Sequence, residues 1–495
     1  MNSQACPLIA LLDDAVTRHP DRIALRMGDD EYTYTALAQL VNRCAVHLSR
    51  CGVTRGSRIG LSAGNSPEFV AVVFAAARLG AAIVMVSTAW RDREVEHALA
   101  LTEPTHLLHD GSGAARLDLL VTDRPVIHID DIQSSAAAAT VATAVVELDD
   151  LAVMVFSSGT TGLPKAVRHT HRTMHAATKH WVDTLGMTSE DRLQIATPPF
   201  HILGLLNLLA VAAAGASVRL HRRFDLDVVL NAIQQDRITI EMAVAPIALA
   251  MAAHPNIESF DLSSLRYIMW GATPVTASVA ETVTRRTGVR FLPAYGASEL
   301  PVIAVNPVHR PAEWRLDSVG LPPLGVELRV VNIETGAVLS AGESGELQAR
   351  SPSLMVGYLP ESATKDSVID GWYRTGDVGA VDENGWVTIT DRVKEMIKVN
   401  GFQVAPAEVE AVLLSHAGVI DCAVFGVPHE RTGEAVVAAV VIAAGVEVTS
   451  DELRDLVADN LAAYKRVQEI QFMEQIPRLP SGKVLRRELQ STHGN

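Results

Sequence analysis

Short apolar, strand-like runs alternate with amphipathic helical stretches from the N-terminus to about Pro307, and this restricts the chain to layered α/β architectures. Tyr32-Thr33-Tyr34-Thr35 reads as a strand, with Thr35 capping an amphipathic helix over 36–50. Ser66-Pro67-Glu68 opens the next helix, with Pro67 in its first turn, and 80–86 reads as a buried strand. The Ala/Ser/Thr-rich stretch 134–144 reads as a surface connection before a strand over 152–156. The two most apolar stretches are 70–86, which contains Arg78 and Gly80, and 205–218, which falls short of the ~20 residues a bilayer requires. Both are expected to be buried helix or strand, not membrane spans. Residues 1–12 carry no basic group ahead of their apolar run, so no signal peptide is read there.

From Val319 the character changes. Short β-like runs over 327–332, 345–349 and 386–390 alternate with Gly-rich turns, which predicts a small β-rich subdomain. A boundary falls near 391–394. Beyond it lie strands over 421–426 and 436–442 and helices over 406–414 and 450–461, a segment of about 100 residues and ordinary domain size. A chain of 495 residues is too long for one compact core. With 48% hydrophobic and 20% charged residues, global disorder is excluded. The formal net charge of −15, without a basic stripe, argues against a nucleic-acid partner. It leaves room for a nucleotide, which needs a few local donors and a metal ion. Cys6, Cys44, Cys51 and Cys422 show no CxxC spacing and read as reduced thiols of a cytoplasmic protein.

The segment Phe156-Ser157-Ser158-Gly159-Thr160-Thr161-Gly162-Leu163-Pro164-Lys165 follows a buried apolar strand. Glycines let the backbone approach a polyphosphate, backbone N–H groups and hydroxyls donate to its oxygens, and the lysine supplies positive charge. A Walker-type loop needs a Ser/Thr hydroxyl directly after a Gly-Lys pair, whereas here Pro164 precedes Lys165 and Ala166 follows it. The segment closely resembles the phosphate-binding signature of AMP-forming acyl-CoA synthetases, members of the adenylate-forming superfamily that also holds 4-coumarate–CoA ligase, firefly luciferase and peptide-synthetase adenylation domains. Ala166 replaces the family's usual glycine.

Further motifs resemble the same family in the same order. Ala294-Tyr295-Gly296-Ala297-Ser298-Glu299 is similar to its Tyr-Gly-x-Thr-Glu element, with a serine keeping the hydroxyl of the commoner threonine. Gly371-Trp372-Tyr373-Arg374-Thr375-Gly376-Asp377 resembles its ribose element. Asp391-Arg392-Val393-Lys394 and the run to Val404 resemble its hinge and following loop, and Pro477-Arg478-Leu479-Pro480-Ser481-Gly482-Lys483 resembles its mobile lysine loop. Thr197-Pro198-Pro199-Phe200-His201 and Trp270-Gly271-Ala272-Thr273-Pro274 resemble its acyl-pocket segments.

The resemblance implies an α/β fold with a large multi-layer N-terminal domain over 1–391, made of two α/β sheets and a small distorted β-barrel. A small mobile α+β domain would follow over 392–495. It also implies residue roles. Ser157, Ser158, Gly159, Thr160, Thr161, Gly162 and Lys165 would hold the phosphates; Gly271, Ala272, Thr273, Tyr295 and Gly296 would border the adenine. Ser298 would meet the α-phosphate, and Thr161 and Glu299 would hold Mg²⁺. Asp377, Ile389 and Arg392 would contact the ribose and phosphate, and Lys398 and Gln403 would face the adenylate. Lys394 would be the hinge, Asn400, Gly401 and Phe402 the thiolation loop, and Lys483 the catalytic lysine between carboxylate and α-phosphate. His201 would sit by the substrate carboxylate, with Phe200, Trp270, Gly271 and Ala294 lining the acyl pocket. Trp270 and Ala294 are larger than the family's usual residues, which favours a short, medium or branched acid if Trp270 faces the pocket and says nothing if it faces the core.

The implied activity is ATP- and Mg²⁺-dependent activation of a small carboxylic acid as an acyl-adenylate, then thioester formation. The Gly-Phe-Gln-Val pattern after Asn400 favours coenzyme A as acceptor. The alternative acceptor is a phosphopantetheine thiol on a separate acyl carrier protein. A luciferase-like oxygenase and a non-catalytic nucleotide-binding relative are the rival classes; the second is disfavoured because Lys483, Glu299, Asp377 and Arg392 are all present. A homodimer stays open.

Overall fold

The computed structural model describes residues 5–112, 117–121, 123–132, 141–157, 164–271, 277–400, 402–429, 431–443, 445–478 and 484–492. Two compact units emerge: Met1–Ala243 with Ile247–Glu327 and Ala349–Tyr373, and Val244–Pro246 with Leu328–Gln348 and Arg374–Asn495.

The first unit contains two large sheets. One runs in the order Ala304–Val305, Phe291–Tyr295, Tyr267–Trp270, Ile240–Ala243, Arg192–Ile195, Ser217–Leu220, Ile23–Met27 and Asp30–Thr33. Its inner pairs are parallel and its two edge pairs antiparallel. The other runs Gly357–Leu359, Lys165–Thr170, Leu151–Ser157, Ala82–Met85, Arg58–Ser62, His106–His109 and Val126–His128. It too is parallel inside, with antiparallel pairs around Lys165–Thr170. Strands such as Ala82–Met85 and Tyr267–Trp270 are buried at every position. That is the expected pattern where both sheet faces are covered, and it explains why they appear in sequence as unbroken apolar runs.

Helices Leu8–Arg18, Tyr34–Arg50, Pro67–Leu79, His171–Leu185 and Ile202–Ala214 contribute to one continuous core. Ile202–Ala214 is buried from Gly204 to Ala213, as a helix apolar on all sides must be. The two long apolar stretches of the sequence are thus a helix followed by a strand in each case, Pro67–Leu79 with Ala82–Met85 and Ile202–Ala214 with Ser217–Leu220. No helix among the described residues is long and apolar enough to cross a membrane. Ser66 caps Pro67–Leu79 by accepting from the Phe69 N–H, and Gly80 ends it at φ 70°.

One expected cap is corrected. The second helix begins at Tyr34, not Ala36, and Thr33 caps it by accepting from the Ala36 N–H. Tyr34 is drawn into the helix because its ring is buried and its hydroxyl donates to the carbonyls of Val211 (3.0 Å) and Ala216 (2.7 Å), a tertiary demand that local propensity does not reveal.

The second unit carries most of a sheet ordered Glu327–Val331, Gly345–Arg350, Trp372–Val381, Val368–Ile369, with Val387–Arg392 pairing antiparallel to Trp372–Val381. Its last sheet orders Phe402–Val404, Ile397–Val399, Gly433–Ile442 and Val419–His429, with Glu469–Phe472 parallel to Gly433–Ile442. Helices Pro406–Leu414 and Ser450–Asn460 cover one face through Val409, Leu413, Leu453 and Val457.

Candidate active site

Strands Leu151–Ser157 and Lys165–Thr170 are antiparallel neighbours, and Ser157 lies opposite Lys165 in their register. The phosphate segment is therefore the connection between two paired strands, its hydroxyl end and its lysine end brought side by side. Ser158, Gly159, Thr160, Thr161 and Gly162 lie outside the described residues, as do Ala272, Thr273, Gly401, Lys483 and the Gln403 side chain.

The Lys165 Nζ stands 5.2 Å from the centre of the Tyr358 ring, a cation–π contact. The Tyr358 hydroxyl donates to Glu299 Oε1 at 2.7 Å. Burial, then the neighbouring Glu299 charge, push the Tyr358 pKa well above the ordinary phenol value, so the donor keeps its proton. The Glu299 backbone is fixed as well: its carbonyl accepts from the Met355 N–H at 2.8 Å. His169, in strand Lys165–Thr170, bridges its Nδ1 to the Thr173 hydroxyl (3.1 Å) and its Nε2 to the Ser298 carbonyl (2.8 Å). Desolvation lowers the His169 pKa to about 4, so the ring is a neutral donor to that carbonyl. Gly296 is required by crowding, because a Cβ there would stand 2.1 Å from the Pro301 carbonyl oxygen. Tyr295, at the end of strand Phe291–Tyr295, is partly buried.

Glu299 is 7% exposed, and its second oxygen, Oε2, has no partner among the described residues. A nearly buried carboxylate with one open oxygen fits a hard cation. No group of three or more His, Cys, Asp or Glu side chains converges among the described residues. One carboxylate beside a phosphate-binding segment suits Mg²⁺, which takes most of its oxygens from phosphates and water.

Ribose-element residues are paired in the second unit. Asp377 is 5% exposed, sits opposite Arg392 in the antiparallel register and accepts from its Nε at 2.8 Å. Thr375 turns the backbone by accepting from the Asp377 N–H and donating to the Leu347 carbonyl. Ile389 is two strand positions before Asp391 and is half-buried. The Asp391 carboxylate accepts from the N–H groups of Arg392 (2.7 Å) and Ala407 (3.0 Å); desolvation raises its pKa to about 6. Lys394 is exposed. Lys398 is exposed too and pairs in register with Gln403. Asn400 turns the chain at φ 52°, its N–H donating to the Thr432 carbonyl. Phe402 is 56% exposed and stacks on Tyr464, ring centres 4.6 Å apart. Asn400 and Tyr464 also line a cavity of about 460 Å³ with Thr432, Arg454 and Arg466.

Among the acyl-pocket candidates, Phe200 and His201 have ring centres 4.8 Å apart at the entry to helix Ile202–Ala214. Solvent reaches His201, yet the surrounding protein desolvates it enough to lower its pKa, leaving it neutral at pH 7. Gly204 lets the Pro198-Pro199 turn lie on this helix: a Cβ would stand 3.0 Å from the Pro199 Cα. Asn65, which sequence reasoning missed, pins the same segment through Nδ2, at 3.0 Å from the Thr197 carbonyl and 2.9 Å from that of His221. Trp270 ends strand Tyr267–Trp270. Its side chain is 1% exposed and its ring meets Phe291 edge-on at 5.4 Å. Gly271 and Ala294 adjoin, a Cβ on Gly271 standing 3.7 Å from the Ala294 carbonyl. Tyr358, His169, Tyr464, Arg454 and Arg466 were also missed; each is an isolated residue in a stretch without motif character.

The profile described as "AMP-binding enzyme" matches residues 12–359, and that described as "AMP-binding enzyme C-terminal domain" matches 408–483. The chain is 34% identical to 4-coumarate–CoA ligase 3 of Oryza sativa subsp. japonica, over 93% of this chain and 87% of the relative. It is 34% identical to a feruloyl-CoA synthase of an Amycolatopsis species, over 96% of both. Among solved structures, ATP-bound MatB from Rhodopseudomonas palustris superposes with a TM-score of 0.91 at 26% identity, covering 99% of each chain. Family models and relatives together define an adenylate-forming acid–thiol ligase. The chain belongs to the AMP-binding enzyme family, with both of its characteristic domains.

Proposed function

We propose that the protein joins a carboxylic acid to coenzyme A in two steps. In the first, the carboxylate oxygen attacks the α-phosphorus of ATP and diphosphate leaves, giving an acyl-adenylate. In the second, the coenzyme A thiol attacks the acyl carbon, loses its proton, and AMP leaves. The observation that carries this reading is the junction where Ser157 and Lys165 adjoin Tyr358 and Glu299, which supplies donors for a polyphosphate beside a ligand for its cation. Mg²⁺, when bound through Glu299 and Thr161, would offset phosphate charge. Ser298 and Lys483 are assigned to the α-phosphate, Asp377, Ile389 and Arg392 to the ribose and its phosphate, and Tyr295, Gly296 and Gly271 to the adenine. Lys398 and Gln403 are assigned to the adenylate, and His201 to the acid. The chain pivots near 391–394, with Lys394 as hinge. The four free cysteines fit a reducing cytoplasm.

Coenzyme A is preferred over a carrier-protein thiol on two grounds. The relatives are named for coenzyme A products. The second unit also holds the 460 Å³ cavity beside Asn400, lined by Arg466, by Arg454 with its Asp451 partner at 3.0 Å, and by Tyr464 with Phe402 stacked on it, which places cationic charge there. For the acid two readings stand. Ala294 adds a methyl to the pocket, which supports a short, medium or branched acid; the names of the relatives support a hydroxycinnamic acid. Acid-dependent ATP–diphosphate exchange over a panel of both classes, repeated with coenzyme A and with a phosphopantetheinylated carrier protein, decides among them. Exchange with no acid on the panel would refute adenylation, and thioester formed on the carrier alone would refute the acceptor.

A further inference from the structure

We propose that Tyr358 is a positioning residue for the nucleotide, a spacer that holds Lys165 and Glu299 apart so that each stays available, one to a phosphate and the other to its cation. The inference rests on the reading of Glu299 as a Mg²⁺ ligand. Lys165 and Glu299 carry opposite charge in one partly buried corner, where a direct ion pair would be strong and would withdraw both from a ligand. They make no such pair. The Tyr358 ring lies beneath the Lys165 ammonium, 5.2 Å from Nζ to its centre, and its hydroxyl occupies Glu299 Oε1 at 2.7 Å. The remaining carboxylate oxygen is left open.

The spacer is itself rigidly held. Tyr358 is 5% exposed and belongs to strand Gly357–Leu359, in register opposite Val167 of the strand that begins with Lys165. Its N–H donates to the Thr364 hydroxyl at 2.9 Å. Three residues earlier, the Met355 N–H holds the Glu299 carbonyl. One short ribbon thus fixes the lysine strand, the glutamate backbone and the glutamate carboxylate.

Two substitutions separate the ring from the hydroxyl. Tyr358→Phe keeps the ring under Lys165 and frees Glu299 Oε1; Tyr358→Leu removes both contacts and lets the two charges meet. Equilibrium binding of α,β-methylene-ATP, titrated calorimetrically with and without Mg²⁺, reads the effect independently of turnover, and thermal melting checks folding. For Tyr358→Phe, the Mg²⁺ concentration giving half-maximal enhancement of binding is expected to rise roughly tenfold, as for loss of a hydrogen bond to a charged group. Its Mg²⁺-free affinity should not change. Tyr358→Leu is expected to lose Mg²⁺-free affinity as well, and adding Glu299→Gln should restore it by releasing Lys165. A wild-type Mg²⁺ profile for Tyr358→Phe, or no rescue in the double variant, overturns the spacer role. Glu299→Gln alone with an unchanged Mg²⁺ profile would instead overturn the metal-ligand reading beneath it. If Tyr358→Leu does not fold, the Tyr358→Phe profile decides.

Discussion

Asp377 shows how one side chain can be committed to a ligand before the ligand arrives. It is nearly buried, its backbone is set by Thr375, and its carboxylate is oriented by Arg392 Nε at 2.8 Å. If it is the acceptor for the sugar hydroxyls as proposed, replacing it removes that acceptor along with its contact to Arg392. Asp377→Ala is expected to raise the KM for ATP about tenfold or more while the KM for the acid stays within about twofold, as initial-rate measurements with each substrate varied would show. The acyl side has its own test. Beside buried Trp270, the size argument can be tested on the Ala294 methyl, next to Gly271. Ala294→Gly should raise kcat/KM for an acid one methylene longer by about three- to tenfold relative to the preferred acid; an unchanged ratio would remove Ala294 from the pocket. At this scale sequence legibility divides sharply. Glu299 and Asp377 could be singled out because each sits in a run of residues whose spacing carries meaning. Tyr358, His169 and Asn65 could not, since each acts through contacts to backbones or side chains far away in the chain.

The elements were largely legible because burial on two faces writes itself as unbroken apolar runs, as in Ala82–Met85 and Leu151–Ser157. Polar groups inside such sheets were not legible as a network. Glu241, in strand Ile240–Ala243, accepts from Gln194 Nε2 at 2.6 Å, and Gln194 Oε1 meets His221 Nε2 at 2.8 Å. Burial raises the Glu241 pKa from 4.5 to about 8, so the folded protein carries a neutral acid there at pH 7. The unfolded chain is ionised from about 4.5 upward, so the protonated site's stabilisation is whole below 4.5 and falls away as pH rises to about 8. Buried His169, His171 and His221 have the opposite sign. Their pKa values fall from 6.5 to about 4, so their contribution is whole above 6.5 and is lost as pH drops toward 4. Each group sets a slope of at most about 1.4 kcal/mol per pH unit. The melting temperature is therefore expected to climb with pH to near 6.5 and then to decline toward 8. Glu241→Gln should flatten the alkaline decline and steepen the climb between about 4.5 and 6.5, and melting curves collected across this range would expose any other pattern.

At the level of the whole molecule, the two half-reactions make opposite electrostatic demands. Attack of one anion on another needs positive charge between the carboxylate and the α-phosphorus, whereas attack of a thiol on the acyl carbon needs open access to that carbon. A single fixed cation cannot serve both. The chemistry therefore favours a lysine that acts in the first step and is withdrawn in the second, and the proposed pivot near 391–394 supplies the means. The second unit offers a built anchor beside that pivot: Arg486 bonds Glu395 at 2.5 Å and Glu410 at 2.7 Å and donates to the Val424 carbonyl, while Asp391 is held by the Ala407 N–H. Residues on either side of Lys394 are thus tied to one unit, so a pivot there would first have to release the Asp391 or the Glu395 contact. Lys483→Ala is accordingly expected to lower acid-dependent ATP–diphosphate exchange by at least about a hundredfold, the scale seen when a preorganised charge stabiliser is removed. Thioester formation from chemically supplied acyl-adenylate and coenzyme A should stay within about threefold of the unsubstituted protein. Parallel loss of both half-reactions would mean that Lys483 maintains the structure or serves both steps, and the division of labour between the steps would have to be abandoned.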